Sequence, residues 1–473
     1  MGQEIDHVTF TAAERAEFAR RLADETEALV AECTLRGTTD DIRLVGLELE
    51  ACLVDRETLL PSMCNQAFLA RLDSPQASAE LAQHNAEFNF EPLPLGEGML
   101  GRLHAALHRQ CTQARQVATE LGADIALCGI LPTLAPSQLT PSNISPLNRY
   151  FALNRQVMDA HCGAASRLDI KGRDHLTREL DSVMMEAATT SFQIHLRLPA
   201  NLMRGAYNAA QLASAPMIAL GANSPLLFGH DLWAETRIPL FEQAVGLGGL
   251  GSASRGPVRR VSFGSGYVKR GLLECFEENL AHYPVLLPIL DDSGARYAHL
   301  RLHNGTIWRW NRPIVGFDED GGVHLRLEHR TLPAGPSLID MVANTAMFVG
   351  LVRHYMDQEV EALEFALARS NFYEAARHGL SARIDWLDGQ RHPISRLLRK
   401  TLLPAAAGGL DLLGIDPDDR DRYLGVLERR LDSGQNGAVW QRRFLARYPG
   451  DLAALTASML EQQACDTPVH LWE

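Results

Sequence analysis

Two carboxylates, Glu48 and Glu50, stand two residues apart inside an otherwise apolar run, VGLELEACLVD (45–55). Side chains of a β-strand alternate between its faces, so the pair points one way, about 7 Å apart, while Leu47, Leu49, Ala51 and Leu53 take the other face. At an effective dielectric of about 20, two such charges repel by roughly 2 kcal/mol. A chain that keeps them together must bring something positive to that face. The feature demands a strand with one apolar side and a cationic occupant opposite the other.

The same habit recurs in further segments. AEFNFEP puts Glu87, Asn89 and Glu91 on one face, with Phe88 and Phe90 behind. TSFQIHLRLP does so with Ser191, Gln193, His195 and Arg197, and GVHLRLEHR with His324, Arg326, Glu328 and Arg330. Alternation alone describes any half-buried strand, whose polar face can simply meet water. The residue types say more, because these faces hold Glu, Gln, His and Arg and no lysine. Carboxylates with a few nitrogen or amide groups suit a hard divalent cation, and arginines suit phosphate oxygens. Together they describe a nucleotide phosphoryl-transfer site, with metal ions expected opposite Glu48 and Glu50. Cys52 shares their face but is a poor ligand for a hard cation.

Composition narrows the class. A net charge of −13 argues against nucleic acid as a partner. The eight cysteines form no C-x-x-C pair, as expected for reduced thiols in a cytosolic chain. MGQEIDHVTF lacks a signal-peptide pattern and charges interrupt every long apolar run, so a cytoplasmic protein with no membrane span is expected. No P-loop, H-E-x-x-H or G-x-S-x-G occurs. GLGGLG (246–251) matches a dinucleotide fingerprint literally, but it follows a helix-like segment rather than a strand. It reads instead as a glycine loop.

Thr11 and Glu14 form a capping-box pattern at the head of a first helix, and a second runs through LGRLHAALHRQCTQARQVATEL to Gly122. Strands concentrate between residues 43 and 330 without a βαβ rhythm, and the text beyond 338 is almost wholly helical. This favours an α+β fold, with residues 1–338 as a catalytic region and 339–473 as a helical region packed on it. Asp416-Pro417 opens a helix whose charged start, DPDDRDR, reads as solvated. The polar loop 132–146 and the glycine loop 246–256 are long enough to close over a site.

The ordered series GLELE, Glu80 and Glu87 in E-x6-E-F, NRYF (148–151), SFQIH, LGANSPL (220–226), RVSFGSGY (260–267), RLEHR (326–330) and NFYEAARHGL (371–380) resembles the glutamate–cysteine ligase and carboxylate–amine ligase family of the glutamine synthetase-like superfamily. The resemblance implies a curved, largely antiparallel sheet with helices outside and the active site on its concave face. It implies an ATP-dependent ligase forming a γ-glutamyl amide through γ-glutamyl phosphate, with Mg2+ or Mn2+ and ATP as co-substrate. By position, Glu48, Glu50, Glu80, Glu87 and Glu328 would bind metal, while His195 and Gln193 would stand at the metal–phosphate–substrate junction. Arg330 would hold the transferring phosphate, with Arg326 beside it on the nucleotide. Arg260, Arg255 and Asn223 would bind substrate, Arg260 taking the glutamate α-carboxylate, with Arg259 and Arg237 also near in sequence. Gln193 and the HNAEFNFEPLP segment depart from the family's commoner text, which leaves the acceptor amine open, cysteine included. A phosphotransferase of the same superfamily and a catalytically silent nucleotide-binding relative are the other readings. Oligomeric state, a homo-oligomer included, stays open.

Overall fold

The computed structural model describes residues 5, 8–35, 43–160, 166–246 and 259–473. Its centre is strand β1, Leu44–Asp55. Around it a curved seven-stranded sheet is completed by β2 (Ala77–Ala79), β3 (Asn85–Pro94), β4 (Ala123–Ala126), β5 (Phe192–Arg197), β6 (Asn311–Phe317) and β7 (Val323–His329). The spatial order is β6-β7-β5-β1-β3-β2, with β4 pairing the far end of β1, and every pairing is antiparallel.

Val45, Leu47, Leu49, Ala51 and Leu53 are buried on the back of β1. Each large apolar side chain placed there contributes about 2 kcal/mol, so a few of them outweigh the repulsion between the two glutamates. They pack in one core with helix α2 (Met99–Glu120), α3 (Ala200–Gly221) and α4 (Leu338–Tyr355). The latter two are buried along most of their length, as expected of helices apolar all round. Helix α1 (Ala12–Leu35) begins with the expected box: Glu14 N–H donates to Thr11 Oγ1 at 3.2 Å, and Thr11 N–H to Glu14 Oε2 at 2.6 Å.

Two readings of the sequence change. The 132–146 loop is packed down, not loose: Leu134, Leu139, Ile144 and Ser145 are buried, and Ser145 N–H donates to Leu81 O at 2.8 Å. The acidic start of helix α5 (Pro417–Ser433) is not merely solvated. Asp416 and Asp419 accept from Gly98 N–H at 2.6 Å and Gly101 N–H at 3.0 Å, at the N-terminus of α2. Most of the 246–256 loop lies outside the described residues. Among those described, no helix is long and apolar enough to cross a membrane.

Candidate active site on one face of the sheet

Register brings the polar faces of the four segments together. Glu48 lies opposite Gln193 on one side and Asn89 on the other, and Glu50 lies opposite Glu87. His195 faces Gly46 and Glu328, and Glu328 in turn faces Arg312. A slip of one residue in any ladder would turn that strand's polar set to the core, so the apolar backs of the strands fix the site's geometry.

Glu48, His195 and Glu328 place ligand atoms within 4.8 Å of one another. His195 Nε2 lies 3.2 Å from Glu48 Oε1 and 3.8 Å from Glu328 Oε1, yet this buried nitrogen has no aligned hydrogen-bond partner. Burial works to raise the Glu48 carboxyl, but the neighbouring imidazole brings it below the ordinary value. Glu328, almost wholly buried, is gripped by Arg312 through Nε at 2.7 Å and an amino nitrogen at 3.0 Å, and by Arg330 at 3.2 Å. Against the upward push of burial, Arg312 and Arg330 hold it well below the usual range. Arg326 Nε–H donates to His195 Nδ1 at 3.2 Å.

Beside this triad the carboxylates are poorer in cations. Glu50 accepts from Ser191 N–H at 2.7 Å and Gln193 Nε2 at 3.1 Å, while Arg330 donates to Gln193 Oε1 at 2.6 Å. Burial, with Glu87 nearby, pushes Glu50 up to about 7 despite Arg330. Burial and then Glu87 push Glu80 well above its ordinary value, and burial with Glu48 raises Glu87. Glu186, in the short turn Val183–Ala188, is pushed up to about 8 by burial and Glu50. Carboxylates crowded this way fit an oxygen-preferring divalent cation.

A family model for glutamate-cysteine ligase family 2 matches residues 44–458, nearly the whole chain. The chain belongs to glutamate-cysteine ligase family 2. Membership places it among the ATP-dependent carboxylate–amine ligases. The fold is similar to that of the glutamate–cysteine ligase of Francisella tularensis solved with AMP, at 11% identity and a TM-score of 0.56, covering 91% of this chain and 94% of that one. A bifunctional glutathione synthetase from Pasteurella multocida is 12% identical with a TM-score of 0.47, over 96% of this chain and 55% of that one. None of the curated proteins compared matches the sequence.

Within this family-2 chain, some residues expected at the site are used elsewhere. Arg260 is 1% exposed and donates to Thr306 O at 2.9 Å, to Thr306 Oγ1 at 3.0 Å and to Pro284 O. Its guanidinium ties backbone together, and burial lowers it to about 10. The neighbouring Arg259 is the exposed one. Asn223 is likewise buried, donating to Ala334 O at 2.9 Å and accepting from Gln441 Nε2 at 3.1 Å, so its amide serves packing. Arg255 lies outside the described residues. Glu91 sits exposed on the rim, 3.2 Å from Gln76 Nε2. The NRYF segment places Tyr150 by the acidic cluster, its hydroxyl donating to Ala79 O at 2.8 Å.

Two participants were not singled out from sequence: Arg312 sits in NRPIVGF, and Glu186 in a short turn without periodicity. Ser191, expected on the polar face, acts through its backbone N–H.

Proposed function

We propose that this chain ligates the γ-carboxylate of glutamate to an amine at the expense of ATP, with cysteine one acceptor to test. The observation that carries the reading is the convergence of Glu48, His195 and Glu328 within 4.8 Å on a face that Arg330 also occupies. Residues 1–338 would carry the chemistry and residues 339–473 would brace it.

Glu48 and Glu328 would hold Mg2+ or Mn2+, with Glu50, Glu80 and Glu87 available to further cations. When bound, such an ion neutralises charge on the phosphates and orients them. Arg330, which burial works to lower but which Glu328 and Glu50 keep fully protonated, would hold the transferring phosphoryl group. Arg326 would sit beside the nucleotide's phosphates. His195 Nε2–H would donate to a phosphoryl oxygen, and the Gln193 amide, held between Arg330 and Glu50, would orient the substrate carboxylate.

Chemically, a carboxylate oxygen attacks the γ-phosphorus and ADP leaves. The amine nitrogen then attacks the acyl carbon, the C–O bond to phosphate breaks, and the amine loses a proton. The first step replaces a poor leaving group with a good one. The test is ADP release by purified protein with ATP, Mg2+ and glutamate across a panel of amines that includes cysteine, with the product identified by mass. Amine-dependent release in the wild type, lost in Glu48→Gln and Glu328→Gln, supports the reading. Full turnover by both variants, or a phosphorylated product with no amide, overturns it.

A further inference from the structure

Arg330 stands one residue beyond β7, where the chain leaves the sheet, and whatever holds its backbone decides where its guanidinium points. Its N–H donates to Trp310 O at 2.9 Å. The residues on either side, His329 and Thr331, are wholly buried and tied to one another: Thr331 Oγ1 lies 2.6 Å from His329 Nε2, and His329 Nδ1 lies 2.7 Å from Asn311 Oδ1. The carbonyls of Arg330 and Thr331 remain, and a buried carbonyl without a donor is costly. Arg237 supplies the donors. Both of its amino nitrogens donate to Arg330 O at 3.4 Å, and one also donates to Thr331 O.

Arg237 opens the helix Arg237–Ala244 and is 2% exposed. A guanidinium buried this far is costly unless it is paired and its donors are used. Its Nε–H donates to Glu235 Oε1 at 3.2 Å, and that fully buried carboxylate is fixed in turn by Ser224 O–H at 2.6 Å and Asn223 N–H at 2.7 Å. The guanidinium carbon lies 5.4 Å from the centre of the Trp310 ring. Anchor and ring leave the fork one orientation, aimed at two successive carbonyls. Apolar residues commonly replace a buried ion pair with little loss, so stability alone does not account for the arrangement. What it fixes is the peptide that follows Arg330, and with it the direction in which that side chain leaves the backbone.

We infer that Arg237, anchored by Glu235, is a positioning residue for Arg330. Its hydrogen bonds go to Glu235 and to backbone, so it acts through Arg330 rather than on the phosphoryl group. Arg330, aimed this way, donates to Gln193 Oε1 at 2.6 Å and to Glu328 Oε2 at 3.2 Å. A shift of about 1 Å at its root is enough to weaken its hold on a phosphoryl oxygen. The inference rests on the proposed role of Arg330 in phosphoryl transfer and adds the pair of residues that sets its aim.

ADP lacks the phosphate that Arg330 would hold, so the preference for ATP over ADP reports that aim without requiring turnover. Calorimetry with Mg·ATP and with Mg·ADP on the full chain gives the ratio for the wild type, Arg330→Ala, Arg237→Lys and the double variant. Lysine keeps a charge beside Glu235 but cannot reach it and both carbonyls at once. Arg330→Ala should lower the ratio about tenfold or more, and Arg237→Lys about fivefold with ADP affinity unchanged. Added to Arg330→Ala, Arg237→Lys should lower it no further. Glu235→Gln, which keeps one acceptor oxygen and loses the charge, should act in the same direction and carries the test if the lysine variant does not fold. A wild-type ratio in these variants overturns the inference. So does a loss shared equally by ATP and ADP, or a further loss in the double variant, since each marks a merely structural role. Failure of the underlying reading shows separately: if the wild type does not prefer ATP, or Arg330→Ala keeps the preference, the role of Arg330 falls and the inference with it.

Discussion

Arg326 donates from Nε to Nδ1 of His195 at 3.2 Å, which makes that ring nitrogen an acceptor. By the hydrogen-bond network, the N–H of the ring is then at Nε2, the nitrogen that faces Glu48 and Glu328. A histidine that ligates metal shows the reverse pattern, giving its other N–H to an acceptor. His195 is therefore built to donate to an anion, and the two carboxylates are left to hold the cation. In Mn2+ titrations, Glu48→Gln should weaken metal binding about 10- to 100-fold. His195→Gln should leave it within a few-fold while lowering kcat about 100-fold, the cost of one donor to developing charge. Equal loss of metal in both variants would show that His195 is a ligand after all.

The grip of Arg312 on Glu328 makes a second expectation. Removing one partner of a buried pair leaves an uncompensated charge, at a cost of about 3 kcal/mol. Arg330, 3.2 Å from the same carboxylate, keeps Arg312→Ala toward the lower end. Adding Glu328→Gln to Arg312→Ala should restore part of the stability, because no buried anion then lacks its partner. Urea unfolding of the two single variants and the double one measures this, and strictly additive losses would refute it.

The strands were legible because alternation is a local property. β1, β3, β5 and β7 lie where their apolar and polar residues alternate, and the capping box of α1 and the Asp416-Pro417 helix start are equally local. What could not be read is pairing. Arg312 matters because β6 lies beside β7, opposite Glu328, and no feature of NRPIVGF announces that neighbour. Arg259 and Arg260 differ by one position before the short strand Val261–Ser262, yet one is exposed at a cleft and the other ties down Thr306 and Pro284. Asn223 sits in a motif shared with the ligases, but its hydrogen bonds go to chain segments brought in from far along the sequence.

Stability of the metal-free chain should fall as pH rises above about 6.5. Glu50 and Glu186, raised in the fold to about 7 and about 8, contribute stability fully present below their unfolded value near 4.5 and lost as pH climbs through 7 and 8. Burial lowers His84 and His303 to about 4, so their contribution is present above about 6.5 and lost as pH falls toward 4. Above 6.5 each unfolded histidine sheds its remaining half proton, which offsets only part of the carboxylate loss. Urea midpoints between pH 6.5 and 8 should reveal a decline of about 1–2 kcal/mol. Mg2+ should remove most of it and Glu186→Gln part of it. A flat profile without metal would contradict the crowding inferred for these carboxylates.

Asp416 and Asp419 hold the front of α2 from another helix. Their carboxylates accept from Gly98 N–H and Gly101 N–H, groups that a helix leaves without internal partners at its N-terminus, and their charge complements the positive end of its dipole. Neither residue belongs to the helix it caps, so the contact also fastens the C-terminal helices to one that lies under the sheet. Asp419→Asn keeps a hydrogen-bonding oxygen and loses only the charge, while Asp419→Ala loses both. The expected order is a loss of about 0.5 kcal/mol for asparagine and about 1–2 kcal/mol for alanine. Added salt should shrink the asparagine difference more than the alanine one. Because α2 packs on the back of the sheet rather than at Glu48 or Arg330, ADP release should be unchanged in both variants at temperatures where they stay folded. An alanine variant as stable as the wild type would mean that water replaces the clasp without loss.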